Sequence, residues 1–176
     1  MPAEQPELSI VVMFTHDAEQ AERCLNGIAT ARSEVPASET IIVLNRASQA
    51  VRSVIEARAA GARVIDSPTN TGTAVAWQLG FTAARGEFVL LLHEDAVPLP
   101  AMTPKLIGTL KSEHAAAAVG PWIEETRGTP SVNAGWLRFG RLGTRLTPDL
   151  LPVGLADAPY AVNEISSSIS LWRRSA

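Results

Sequence analysis

The chain has 176 residues, with 15 basic and 18 acidic side chains, a net charge of −3 and a pI near 5.6. A chain of this length buries roughly 70% of its unfolded surface, and 46% hydrophobic against 19% charged residues is a globular rather than a disordered composition. The balance lacks the basic excess of a nucleic-acid binder, and a lone cysteine, Cys24, excludes an intrachain disulfide and a cysteine-based zinc site. Cysteine usage fits a reducing compartment, so the expected location is cytoplasmic, free or peripheral to a membrane. Residues 1–7 are polar and do not read as a signal peptide. The longest apolar run, residues 88–92, is far too short to span a bilayer.

Residues 8–14 are apolar and β-branched and predict a buried strand. Asp17 is placed to cap a helix, and Ala21, Cys24, Leu25 and Ile28 follow at helical spacing, one apolar face. Residues 33–38, with Pro36, read as a loop. Residues 40–44 predict a second buried strand, Val51, Val54 and Ile55 a second helix ending near Gly61, and residues 62–66 a third strand. A turn-rich loop over 67–72 leads into a helix reaching about Arg85, with Val75, Leu79 and Ala83 on one face and Gly86 as its stop. Residues 87–92 carry the strongest strand signal and end abruptly in His93, Glu94 and Asp95. Met102, Leu106 and Leu110 mark another helix, and residues 115–120 a further strand. Residues 128–159 are rich in Gly, Pro, Thr and Arg with little periodicity, and read as loop with a short helix over 148–151. Residues 163–173 predict one last strand.

Strands without clean alternation, separated by helices, argue an α/β fold of three layers, α/β/α, with a mostly parallel sheet covered on both faces. Ligands of such sheets bind beyond the carboxyl ends of the strands. The polar residues after Phe14, Leu44 and Leu92 are therefore expected to face one crevice.

Four stretches together resemble a known family. LSIVVMFTHDAEQAERCL is similar to the first strand and helix of family 2 glycosyltransferases, and TIIVLNRAS to their second strand and turn. NTGTAVAWQLGFTAARGEFVLLLHEDAVP resembles the central Asn-x-Gly, helix, strand and acidic cluster, and ISSSISLWRR the strand that starts the acceptor region. The resemblance implies a GT-A fold, with residues 1–120 as the nucleotide-sugar-binding region and 121–176 as part of the acceptor side of the same domain. It implies transfer of a sugar, with inversion, from a UDP- or GDP-linked donor to a hydroxyl of a glycan, lipid or small molecule. The general base of the family falls downstream of the last strand, beyond Ala176. A non-catalytic, degenerate or truncated GT-A-like nucleotide-binding or scaffold domain is the alternative. A dinucleotide fold would want a Gly-x-Gly-x-x-Gly turn after the first strand, where MFTHDAEQ has no glycine. A nucleotidyltransferase would want a glycine- and basic-rich loop there, and GTR occurs only at 143–145.

The departing diphosphate of a nucleotide sugar needs a divalent cation or cationic groups, and Mg²⁺ or Mn²⁺ takes oxygen ligands from one or two carboxylates. By resemblance Asp95 is the candidate metal ligand, with His93 beside it where the family usually has Asp, a replacement expected to weaken Mn²⁺ or Mg²⁺ binding. A cap or turn role explains Asp95 otherwise, and a structural role His93. The candidate nucleotide-sugar contacts are Thr15, His16, Asn45, Arg46, Asn70, Gly72, Gln78 and Glu94. Asn45 stands where the family usually has Asp, and keeps hydrogen-bonding capacity without charge. Ordinary chemistry competes at each: helix capping for Thr15 and His16, a turn for Asn45, Asn70 and Gly72, and solvated surface for Arg46 and Glu94. Trp77, Trp122 and Trp136 offer flat apolar faces for sugar, or core and loop anchors.

Overall fold

The computed structural model describes residues 5–121, 123–124, 130–131, 134–140, 143–147 and 164–176. Its centre is a six-stranded sheet in the order β3-β2-β1-β4-β11-β5. Strands β1 (Leu8–Phe14), β2 (Ser38–Asn45), β3 (Arg63–Ser67) and β4 (Phe88–His93) run parallel. β11 (Ile169–Arg173) runs antiparallel between β4 and β5 (Ala118–Val119). Two small sheets pair β6 (Ile123–Glu124) with β7 (Pro130–Ser131), and β8 (Ala134–Gly140) with β9 (Gly143–Thr147) and β10 (Glu164–Ile165).

Alternation along the strands sorts the core into two layers. Leu8, Ile10, Val12 and Phe14 of β1 join Ile42 and Leu44 of β2 and Phe88, Leu90 and Leu92 of β4 on one face. That face is covered by α1 (Ala18–Glu34), α2 (Gln49–Arg58) and α4 (Met102–Ser112). Val11, Met13, Ile41, Val43, Val89 and Leu91 point the other way, toward α3 (Thr73–Ala83). Full burial of each such side chain stabilises by about 1.5–3 kcal/mol before entropy is counted. Gly80 lets α3 lie close on β1, since a methyl there would collide with Val11.

The helix ends follow from local chemistry. Asp17 caps α1 by accepting from the Gln20 amide at 3.0 Å, and Ser48 caps α2 by accepting from Val51 at 3.3 Å. The guanidinium of Arg173 donates to the carbonyls of Leu110, Glu113 and Ala116, closing the carboxyl end of α4 from the last strand.

The expected strand–helix order from residue 8 to 119 holds, including β5. Three expectations need correction. Helix α1 runs to Glu34 and β2 starts at Ser38, so the loop at 33–38 is shorter than its composition suggests. Residues 128–159, read as loop, include β7, β8 and β9, whose ladder pairing is satisfied by backbone groups despite weak side-chain periodicity. The single strand expected over 163–173 is broken at 166–168 by a bend in which the Ser168 amide donates to Ser166 Oγ at 3.1 Å. The helix expected over 148–151 lies outside the described residues.

Candidate functional site at the carboxyl end of the sheet

The strand order reverses at β1, with β2 on one side and β4 on the other. Such a switch point opens a crevice beyond the carboxyl ends of the strands. Three loops leave the sheet there, as the sequence predicts, and they are bolted together. The Ser48 amide donates to Thr15 O at 2.7 Å and its hydroxyl to His16 O at 3.2 Å, joining the loops after β1 and β2. The Thr15 amide donates to Glu94 Oε2 at 2.8 Å and its hydroxyl to Glu94 Oε1, joining the loops after β1 and β4. Glu94 is thus a clamp between strand ends, 5% exposed, rather than a solvated carboxylate.

Asn45 is a second clamp. Its side chain is 1% exposed, which only a hydrogen-bonded amide tolerates. Oδ1 accepts from the Thr71 amide at 2.9 Å and hydroxyl at 3.1 Å, while Nδ2 donates to Asn70 Oδ1 at 3.2 Å and Gly72 O at 3.4 Å. Asn70 Oδ1 also accepts from the Gly72 amide at 2.9 Å. Gly72 is at φ 80°, a conformation that suits glycine, and α3 starts immediately after it. Among the described residues no side chain caps that helix start. Arg46 is exposed, at φ 57°, its amide donating to Ser67 O at 2.9 Å. Gln78 is exposed on α3, with Nε2 donating to Thr82 Oγ1 at 3.2 Å.

Between the start of α3 and the end of β4 lies an open cleft of about 440 Å³, lined by Thr73, Ala74, Trp77, His93, Asp95, Ser167 and Ser168. His93 Nδ1 and Asp95 Oδ1 are 2.9 Å apart, with side chains 33% and 55% exposed. The His93 amide donates to Ser168 O at 2.9 Å, which fixes the serine turn over the cleft. Trp77 Nε1 is buried without a hydrogen-bond partner among the described residues. Of the residues expected from sequence, His93, Asp95 and Trp77 thus line the cleft. Thr15, Glu94, Asn45, Asn70 and Gly72 build the loops around it, and His16 and Arg46 are exposed on the loops after β1 and β2. Trp122 and the Trp136 side chain lie outside the described residues. Thr73, Ser167 and Ser168 were missed. The serines look like ordinary strand residues in sequence, and only the bend at 166–168 turns them onto the cleft.

Cys24 lies beneath this region. Its burial, with the charges of Asp95 and Glu94 added, pushes the thiol up to about 12, so it is no nucleophile at neutral pH. Among the described residues no three His, Cys, Asp or Glu side chains converge as a metal cage. The cleft offers one carboxylate and one imidazole, a donor set that fits a cation whose remaining ligands are phosphate oxygens and water.

The profile of glycosyl transferase family 2 matches residues 9–159. No curated protein matches the chain. Among solved structures, the mannosyltransferase PcManGT from Pyrobaculum calidifontis, in complex with GDP-Man and Mn²⁺, is 21% identical with a TM-score of 0.57, over 72% of this chain and 38% of that one. TarS 1-349 from S. aureus in complex with UDP is 18% identical with a TM-score of 0.61, over 96% of this chain and 47% of that one. The same protein with UDP-GlcNAc gives 21% and 0.57, over 74% and 39%. The chain therefore spans less than half the length of these structures, and they share its GT-A fold. By the match of its profile over most of its length, this chain belongs to glycosyl transferase family 2.

Proposed function

We propose that this chain is the donor-binding part of an inverting glycosyltransferase that takes a UDP- or GDP-linked sugar. The observation that carries the reading is the cleft at the switch point, where the uncapped start of α3 faces His93 and Asp95. A helix start favours a diphosphate, and the hydroxyls of Thr73, Ser167 and Ser168 suit sugar hydroxyls. Family membership supports the reaction class, and the complexes of PcManGT with GDP-Man and of TarS with UDP-GlcNAc support the ligand class. Asp95, with His93, would hold Mn²⁺ or Mg²⁺, which when bound would neutralise the charge of the leaving diphosphate. An imidazole nitrogen in place of a second carboxylate suits Mn²⁺ better than Mg²⁺. The loops clamped by Glu94 and Asn45 would present Thr15, His16 and Arg46 to the nucleoside. The acceptor is a glycan, lipid or small-molecule hydroxyl.

The second reading, a GT-A-like domain that binds nucleotide without turnover, is favoured by one observation. Asp95 is the only carboxylate lining the cleft among the described residues. Calorimetric titration with UDP and GDP, with and without Mn²⁺, followed by assays of nucleotide release from the bound donor, separates the two. Binding with release supports the transferase, and binding without release supports the second reading. Absence of binding in a folded sample sinks both.

A further inference from the structure

The polar chain at the end of β1 extends one residue further than the clamp. Thr15 Oγ1 lies 2.9 Å from His16 Nδ1 as well as against Glu94 Oε1. A threonine hydroxyl has one proton to give, and a carboxylate has none. Glu94 already accepts from the Thr15 amide at 2.8 Å and takes the hydroxyl proton too. The remaining partner of Thr15 Oγ1 must then donate, so the proton of the uncharged His16 ring sits on Nδ1. The opposite nitrogen, Nε2, is left bare on an exposed side chain of the loop after β1, at the carboxyl end of the sheet. The loop around it is fixed independently, by Ser48 on the backbone of Thr15 and His16 and by Asp17 capping α1.

We infer that Glu94 and Thr15 are positioning residues that lock His16 in the Nδ1–H tautomer, making His16 a hydrogen-bond acceptor for the nucleoside half of the ligand. The ligand part of this rests on the function proposed above, while the tautomer does not. An acceptor at this place selects ligands that bring a donor to it: a ribose hydroxyl, the ring N–H of a lactam base or an exocyclic amino group.

The test is nitrogen-15 spectroscopy of the three histidine rings in the whole chain at alkaline pH, where the two tautomers give distinct nitrogen patterns. His16 is expected as Nδ1–H in the unmodified chain. Thr15→Val should invert the pattern and Thr15→Ser should restore it, a readout that a purely structural role would not move. An Nε2–H ring in the unmodified chain overturns the inference whether or not any variant folds. So does an unchanged pattern in a folded Thr15→Val sample. Addition of UDP with Mg²⁺ should then shift Nε2, and UDP that binds without shifting it overturns the acceptor role while leaving the nucleotide reading standing. Failure of UDP and GDP to bind overturns that reading, with the tautomer result unaffected. A shift lost with 2′,3′-dideoxy-UDP assigns the donor to a ribose hydroxyl, and a shift retained with it assigns the donor to the base.

Discussion

The two ends of the same parallel strands carry polar networks of opposite character. At the amino end, Ser9 Oγ donates to Glu39 Oε1 at 2.7 Å and accepts from the amides of Arg85 and Gly86 at 3.1 and 2.8 Å. The Arg85 guanidinium closes on Glu39 Oε2 at 2.8 and 3.0 Å. Gly86 has to be glycine for this contact, since a Cβ would lie 2.5 Å from the Ser9 nitrogen. The Ser9 hydroxyl and both carboxylate oxygens of Glu39 are spent on their neighbours. At the carboxyl end, Asn45 and Glu94 are spent in the same way, but His93, Asp95, Thr73, Ser167 and Ser168 face a cleft of about 440 Å³. The difference separates holding a fold from offering chemistry. A shielded carboxylate satisfied by four donors, as Glu39 is by Ser9 and Arg85, is a staple, whereas a half-exposed carboxylate paired with one imidazole is available to a ligand.

The sharpest way to break this division is Asn45→Asp. The amide donates to Asn70 and Gly72 and accepts from Thr71, and a carboxylate performs only the accepting half while burying a charge. Destabilisation by about 3 kcal/mol is expected, read by chemical denaturation and growing as pH rises. Ser9→Ala at the amino end leaves the Gly86 amide unsatisfied in a buried place and should cost about 1–3 kcal/mol. Asp95→Ala, by contrast, should change stability by less than about 0.5 kcal/mol while weakening nucleotide binding about tenfold or more, equivalent to about 1.4 kcal/mol.

The smallest effect concerns acid stability. Burial works against the charged form of Glu39, but hydrogen bonds from Arg85 and Ser9 and the charge of Arg85 outweigh it and hold the carboxyl below its ordinary 4.5. A group depressed in the folded state contributes stability above its ordinary value and loses it as pH falls through the lowered one. Glu39→Gln should therefore flatten the fall in stability below about pH 4.5. An acid limb identical to that of the unmodified chain would show that the network is not where those protons bind.

Sequence pattern carried much of this architecture. The run at β1 is bounded by a capping Asp17 and matches the strand residue for residue, and the apolar run before His93 is β4, because buried parallel strands need continuous apolar residues. The convergence of three loops was legible from the same order of elements. The direction of each polar side chain was harder to see. His93, Glu94 and Asp95 are adjacent, yet Glu94 turns to Thr15 while the other two line the cleft. Strand alternation carried one step past Leu92 puts His93 on the α3 face, opposite Phe88, Leu90 and Leu92, which is a signal that residue types alone do not give. Strands β7, β8 and β9 were illegible because Gly, Pro and Arg interrupt the two-residue period on which strand prediction rests.

The most direct test sets one edge against the other in a single experiment. Calorimetric titration with UDP and GDP in the presence of Mn²⁺ would be run on the unmodified chain, on Asp95→Ala and on Glu39→Gln. The account predicts metal-dependent binding to the unmodified chain, its loss in Asp95→Ala and its retention in Glu39→Gln. Equal affinity in the unmodified chain and Asp95→Ala, or no binding to any folded sample, would contradict it.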